Sequence, residues 1–244
     1  MPSSLRDAAQ QGSVDALYAL IQRDAKVLDR IDEISFVDTP LHDAAYAGHT
    51  RFALEITQLL HRLLDFDDHL VRVQGREGVT PLHYVAQTGD LYLLAEFQNV
   101  CPIPIKNVTI RGETALHIAL NNNQLDAFHL LVRWLQQTTF EDAALWAKKL
   151  LNWKDEEGKT VLHIATMKTL PRVVRWLLDA RVDTNATNLA GFTALDILQG
   201  KTQIDNNKIR DMLTSSLPRN IDIVVDLREA AQLGSVDSLY TCID

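Results

Sequence analysis

The sequence predicts an all-α fold, a solenoid of stacked antiparallel helix pairs joined by β-turn loops. Three observations carry that prediction. A short phrase recurs: Thr-Pro-Leu-His at 39–42 and 80–83, then TALH at 114–117, TVLH at 160–163 and TALD at 193–196. The threonines are spaced by 41, 34, 46 and 33 residues, and two of these spacings fall on the period of about 33 known for one class of helical repeat. Each phrase leads through small residues to a chain-reversing residue and a second apolar segment, such as LYLLAEF at 91–97. A Gly-ending turn then closes the unit: REG at 76–78, IRG at 110–112, EEG at 156–158, LAG at 189–191. Neither helix of such a unit can bury its apolar face alone, so neighbours must stack into one continuous core.

The elements follow in order. Residues 1–38 form an N-terminal cap. Its stretch LRDAAQQGSVDALYALIQ (5–22) reads as helix–Gly–helix without the Thr-Pro start, polar where a preceding repeat would pack. Repeats start near 39, 80, 114, 160 and 193. Thr39 and Thr80 cap a helix through the side-chain oxygen, and Pro40 and Pro81 occupy the first turn, where no backbone N–H is required. Leu41, Leu82, Leu116, Leu162 and Leu195 point to the core, and Ala44-Ala45 and Val85-Ala86 allow close approach of the next unit. Gly48 and Gly89 end the first helix with a positive φ. The 41-residue spacing is too long for one repeat and too short for two. It predicts a long outer helix from about 50 to 65 and an extended turn, the scar of a lost repeat. The 46-residue spacing carries the extra stretch QQTTFEDAALWAKKLL, whose Phe140, Ala144, Leu145, Leu150 and Leu151 predict an additional short helix. Asn123 replaces the chain-reversing Gly in one repeat and tolerates the left-handed region. Thr169 replaces it in another, and a β-branched residue beside Pro171 predicts a distorted turn there. The array ends near 200. Residues 201–226 hold a closing amphipathic helix (KTQIDNNKIRDML) and a linker (SSLPRN, 215–220). Residues 227–244 repeat 5–22 at twelve of eighteen positions, a partial copy of the N-terminal cap. This copy reads either as a piece of a tandem duplication or as a lone helix folded back on the array.

Composition excludes several functions. With 46% hydrophobic residues the 244-residue chain can build a core, and wholesale disorder is excluded. A net charge of −8 and no basic stripe exclude a duplex nucleic-acid binder. Cys101 and Cys242 stand far apart, which fits a reducing compartment, and MPSSLRDAAQQ carries no apolar leader. No run of 18 apolar residues is present, so a membrane span is not expected in this chain, and a cytoplasmic location is. His42, His83, His117 and His163 fall one per repeat on helices about 8–10 Å apart, too far to converge on one metal ion with bonds of about 2 Å. The other histidines, His49, His61, His69 and His129, show no ligand spacing. Gly158-Lys159-Thr160 and Gly200-Lys201-Thr202 resemble phosphate-loop endings, but Trp153 and Leu195 stand where the required Gly would be. Glu156-Glu157 lies on a turn tip rather than across a cleft, and Cys101 has no assigned base. Trp134, Trp146 and Trp176 fall in apolar helical segments as packing residues. Neither a catalytic site nor a cofactor or metal is expected.

The phrases quoted above resemble ankyrin repeats over about residues 5–200. The strings VRVQGREGVTPLHYVAQTGD (71–90), VTIRGETALHIAL (108–120) and LLNWKDEEGKTVLHIA (150–165) are further similar to plant ankyrin proteins of the accelerated-cell-death type. That resemblance implies an ankyrin-repeat solenoid and defence signalling at the plasma membrane, through a C-terminal Pro-Gly-Gly domain with membrane-spanning helices. The chain departs from it in having neither a Pro-Gly-Gly motif nor a span. As in ankyrin repeats generally, each imidazole is expected to hydrogen-bond to its repeat's Thr or to a turn backbone. The resemblance also implies that the turn tips and the variable end of each first helix line a concave face. Those positions are Arg76, Glu77 and Val79; Ile110, Arg111 and Glu113; Glu156, Glu157 and Lys159; and Leu189, Ala190 and Phe192 on the turns. On the helices they are Tyr46, Ala47, Gln87, Thr88, Asn121, Asn122, Met167 and Lys168. Their chemistry changes from repeat to repeat while the skeleton does not, as a recognition surface requires. A central Arg, with Tyr46 and Phe192 toward opposite ends, supplies the anchors. The expected function is a non-enzymatic adaptor that binds a protein partner on this face in plant defence-type signalling. The alternative is the cytosolic portion, or a truncated gene model, of a membrane-anchored ankyrin signalling protein.

Overall fold

The computed structural model describes residues 4–28, 38–63, 73–100, 107–137, 143–199 and 204–216. Residues 227–244, Cys101, Cys242, His69, Phe140, Gly200-Lys201-Thr202 and the end of the linker lie outside the described residues.

Two rows of helices stack side by side. The inner row is α1 (Leu5–Gln11), α3 (Pro40–Ala47), α5 (Pro81–Thr88), α7 (Ala115–Asn121) and α10 (Val161–Met167), closed by a 3-10 turn at Asp196–Leu198. The outer row is α2 (Val14–Arg23), α4 (Thr50–Leu63), α6 (Leu91–Val100), α8 (Leu125–Gln137), α11 (Pro171–Asp179) and α12 (Ile204–Ser216). Each inner helix packs on the next inner one and on its own outer partner. The helix α9 (Ala143–Leu151) is inserted against α8. The long helix expected near 50–65 and the additional helix expected in the 46-residue spacing are both present.

The rows stack because their residues divide by size. Inner helices meet through small side chains: Ala44, Ala45, Val85, Ala86 and Ala119 are fully or almost fully buried. Outer helices supply the bulk. Phe52, Phe97 and Phe128 are each 0% exposed, and each stabilises the stack by about 1.5–3 kcal/mol of apolar burial. On α11, Val173, Val174 and Leu177 form one buried stripe at helical spacing.

Chain reversals follow the sequence with two exceptions. Gly48 and Gly89 end α3 and α5 at φ 71° and 76°, and Asn123 does the same work at φ 58°. Thr169 was expected to distort its turn. Instead it takes the same left-handed conformation at φ 56°, with the Leu170 N–H bonded back to the Ala165 carbonyl. Its hydroxyl donates to Asn206 Oδ1 at 3.0 Å, a contact with α12 that offsets the cost of a β-branched residue there. The unit at 193 is shorter than its predecessors. TALDIL forms only the 3-10 turn before α12, and α12 runs through Ser215 and Ser216, so the linker starts later than the sequence suggests.

Candidate functional site

The face of interest is built by the turns between repeats, which project as fingers, and by the inner helices beside them. Four fingers are locked by the same bond. Gly75, Thr109 and Asp155 donate their N–H to the carbonyls of Val79, Glu113 and Lys159, at 2.8, 3.0 and 3.0 Å, and Asn188 repeats the bond to Phe192 at 3.0 Å. Successive fingers are then hydrogen-bonded tip to tip. The N–H of Ile110 donates to Glu77, that of Glu156 to Arg111 and that of Leu189 to Glu157, at 2.8, 2.8 and 3.0 Å. Such bonds require close backbone approach. A methyl group on Gly158 (φ 74°) would lie 2.7 Å from the Leu189 nitrogen.

The four histidines set the fingers' height over the helices. Thr39, Thr80, Thr114 and Thr160 begin their helices, and each donates its N–H to Nδ1 of the His three residues on, at 3.0, 3.0, 3.3 and 3.1 Å. Each threonine hydroxyl lies 2.8 Å from the same nitrogen. With Nδ1 accepting, Nε2 carries the proton and is free to donate. His42 donates to the carbonyls of Val73 and Val79, His117 to Lys159 and His163 to Phe192, all within 3.1–3.2 Å. Val79, Lys159 and Phe192 each close a finger and precede the next capping threonine, so one imidazole ties its helix start to the following repeat. His83 faces the same frame, near the Glu113 and Asn107 carbonyls, but its Nε2 makes no hydrogen bond of normal geometry. Burial holds all four imidazoles below their usual value, His83 at about 4. They are therefore neutral structural groups, each bonded to its Thr, and three of them also to turn backbone. Among the described residues no group of three or more His, Cys, Asp or Glu could hold a metal ion.

The candidate residues fall into three places. Arg111, Asn121, Glu156, Lys159, Met167 and Lys168 line one pocket of about 220 Å³ between the second and third fingers and α7 and α10, together with Glu113, Asp155, Glu157 and Ile164. Here Lys159 pairs with Glu157 at 2.5 Å, and Arg111 reaches Glu156 at 4.0 Å. Lys168 donates to the Asn121 carbonyl (2.8 Å) and to Asn123 Oδ1 (3.0 Å). Asn121 donates to Glu113 Oε1 at 2.8 Å, and burial pushes the Glu113 carboxyl up. A second place lies toward the N-terminal end. Tyr46, 64% exposed, meets Tyr84 edge to face at 5.2 Å, and Tyr84 rests on His42. Arg76 and Glu77 form the finger above, with the Arg76 backbone N–H and guanidinium both on Asp38, while Gln87 is exposed on α5. Third, Ile110, Leu189 and Phe192 are 71%, 80% and 53% exposed on fingers.

Sequence reasoning missed the column immediately after each His: Asp43, Tyr84, Ile118 and Ile164. Tyr84 and Ile164 belong to the places just described, and the column's signal was its variation beside the recurring His. Trp153 is half-buried and donates from Nε1 to the Gly112 carbonyl at 3.1 Å. His129 stacks on Trp176 at 4.3 Å on the outer row, and His49 bonds the Gln10 carbonyl.

Comparison with known proteins adds four findings. A family model for ankyrin repeats (three copies) matches residues 54–142 and 92–188. An ankyrin repeat-containing protein of Arabidopsis thaliana, BDA1, is 34% identical over 88% of this chain, which spans 57% of that protein's length. A Caenorhabditis elegans homologue of the transient receptor potential cation channel A1 is 30% identical over 52% of the chain and 10% of its own length. Among solved structures, an ankyrin repeat domain from Acinetobacter baumannii superposes with a TM-score of 0.67 over 87% of this chain and 96% of its own, at 18% identity.

Proposed function

The chain belongs to the ankyrin-repeat family, and from that premise we propose that it is a non-enzymatic adaptor whose finger-and-inner-helix face binds a protein segment. Ankyrin repeats are protein–protein interaction modules, and the partner's identity is not needed to see how the face would work. One observation carries the reading. The finger ladder and the Thr–His bonds repeat from unit to unit, while the side chains they present do not: Tyr46, Gln87, Asn121 and Met167 occupy one column, and Asp43, Tyr84, Ile118 and Ile164 the next. A stiff frame with varied presentation lowers the entropy lost on binding and reads a sequence along its length. This reading takes the concave face expected from the sequence to be this one. Arg111 stands at its centre, with Tyr46 and Phe192 toward its ends.

The resemblance to plant ankyrin proteins of the accelerated-cell-death type, and the similarity to a plant relative, support a place in plant defence-type signalling. They support as well an alternative in which this array is the cytosolic share of a membrane-associated protein. Among the described residues no helix is long and apolar enough to cross a membrane. The adaptor reading is tested by affinity capture from plant extract with the intact chain and with a Tyr46→Ala, Arg76→Ala, Arg111→Ala triple variant. Partners lost from the triple variant support the face. Equal recovery of every partner by both rules it out.

A further inference from the structure

We propose that the pocket between the second and third fingers is the specificity element of this face, and that it takes one lysine or arginine side chain from an extended segment of the protein partner. The inference rests on the adaptor reading and names the chemistry that the face selects.

Size comes first. At about 220 Å³ the pocket is smaller than the roughly 300–1,000 Å³ typical of sites that enclose a whole small-molecule ligand. It suits a single long side chain entering from a docked chain. The lining decides which. Ile164 is buried on one side and Met167 is 43% exposed at the rim, both on α10, giving an apolar surface for a methylene stem. Four carboxylates and three cations line the rest.

The cations are all engaged. Lys159 is paired with Glu157, Arg111 reaches Glu156, and Lys168 is spent on the Asn121 carbonyl and Asn123. An incoming anion would meet four carboxylates and find each cation already holding an acceptor. The carboxylates have capacity to spare. Asp155 takes two backbone N–H groups of its own finger on Oδ1. Glu113 accepts from Asn121 through Oε1, at the junction of finger and helix. A half-buried carboxylate in that position is short of hydrogen-bond donors, and burial has already raised its pKa. A guanidinium or ammonium laid over Ile164 and Met167 would supply the missing donors and charge.

The second anchor of the segment differs in kind. Some repeats away, Tyr46 and Tyr84 offer an aromatic edge with no enclosed pocket. The cationic side chain therefore fixes the register of the segment, and the tyrosines contribute contact area.

The test selects displayed random peptides on the full-length chain and measures the affinity of the selected peptides by fluorescence anisotropy. The proposal expects an Arg or Lys at one shared register, and expects its replacement by Ala to weaken binding about tenfold or more. Glu113→Gln should weaken the same peptides about tenfold while leaving circular dichroism and thermal melting unchanged, because among the described residues the Glu113 side chain hydrogen-bonds only Asn121, and a Gln oxygen can still accept that bond. Glu113→Lys should abolish binding, and a peptide carrying Glu at that register should recover it. Peptides that lose affinity with Tyr46→Ala or Arg111→Ala, yet lack a shared basic residue or tolerate Glu113→Gln within about twofold, overturn the pocket assignment and leave the adaptor standing. A shared acidic residue at that register overturns it equally. A selection that yields no binder, or only peptides indifferent to every substitution on the face, overturns both.

Discussion

The four interior units and the two end units of this array cap their first helices with the same geometry and different chemistry. Inside, the box is Thr-x-x-His. At the N-terminal end it is Ser4-x-x-Asp7, with the Ser4 N–H on Asp7 Oδ2 at 3.2 Å and the Asp7 N–H on Ser4 Oγ at 3.1 Å. At the C-terminal end it is Thr193-x-x-Asp196, whose carboxylate accepts the Thr193 N–H at 2.9 Å and hydroxyl at 2.7 Å. The difference shows what an interior position demands. A carboxylate can accept from the cap, and the Asp196 carboxyl is held below its usual value by those Thr193 bonds. It cannot donate forward, and buried between two repeats it would carry a large desolvation cost. Neutral imidazole accepts on one nitrogen and donates on the other, so it caps its own helix and holds the next finger. In the unit starting at Thr193 the first helix is a 3-10 turn, and among the described residues its acid holds no following finger.

The comparison can be broken most forcefully at His117. His117→Leu removes the acceptor for a buried Thr114 N–H and the donor for the Lys159 carbonyl, so urea unfolding should show a loss of about 4 kcal/mol. Asp196→Ala, at the end of the array, should cost clearly less, as loss of an exposed cap does. Equal losses would mean that the forward bond contributes nothing.

Acid should separate the two classes next. Below about pH 6.5 the unfolded chain protonates its histidines, while the four buried imidazoles resist until lower pH. The unfolded state then holds more protons. Stability is fully present above about pH 6.5 and falls as pH drops toward about 4, His83 alone accounting for about 3 kcal/mol across that window. Urea midpoints measured against pH should show this slope, and His83→Gln should make it shallower. A midpoint unchanged between about pH 6.5 and 5 would contradict buried neutral imidazoles.

Smaller effects sharpen the same contrast at the finger tips. Gly158→Ala meets both a left-handed φ and the backbone of the next finger, and should cost about 2 kcal/mol. Gly191→Ala has a similar φ of 80° and no atom within 4 Å of the added carbon, and should cost about 1 kcal/mol in thermal or urea melts.

Much of this frame was legible in the sequence. Repeat starts, the long α4 and the inserted α9 all follow from apolar spacing and from the recurring Thr-x-Leu-His, which are local signals. Thr169 was misread because its compensation, Asn206, lies 37 residues away on a helix whose position depends on the stack. The unit at 193 was read as the start of a last repeat because TALDIL keeps the Thr and Leu. The substitution of Asp for His carried the warning, and it is intelligible only once the forward bond is seen. For the candidate site, single columns were readable but pairings were not. That Arg111, Asn121, Glu156, Lys159, Met167 and Lys168 share one pocket, while Tyr46 and Phe192 stand apart from it, follows from a register set by hydrogen bonds across 30 to 50 residues of sequence.

Amide chemical-shift mapping of the isotope-labelled chain, with and without a selected peptide, tests the account most directly. It predicts changes concentrated on the fingers and inner helices, at Arg111, Glu113, Asn121, Met167 and Lys168, with the outer row around Arg172 and Trp176 unmoved. Changes centred on the outer row, with the fingers silent, would contradict it.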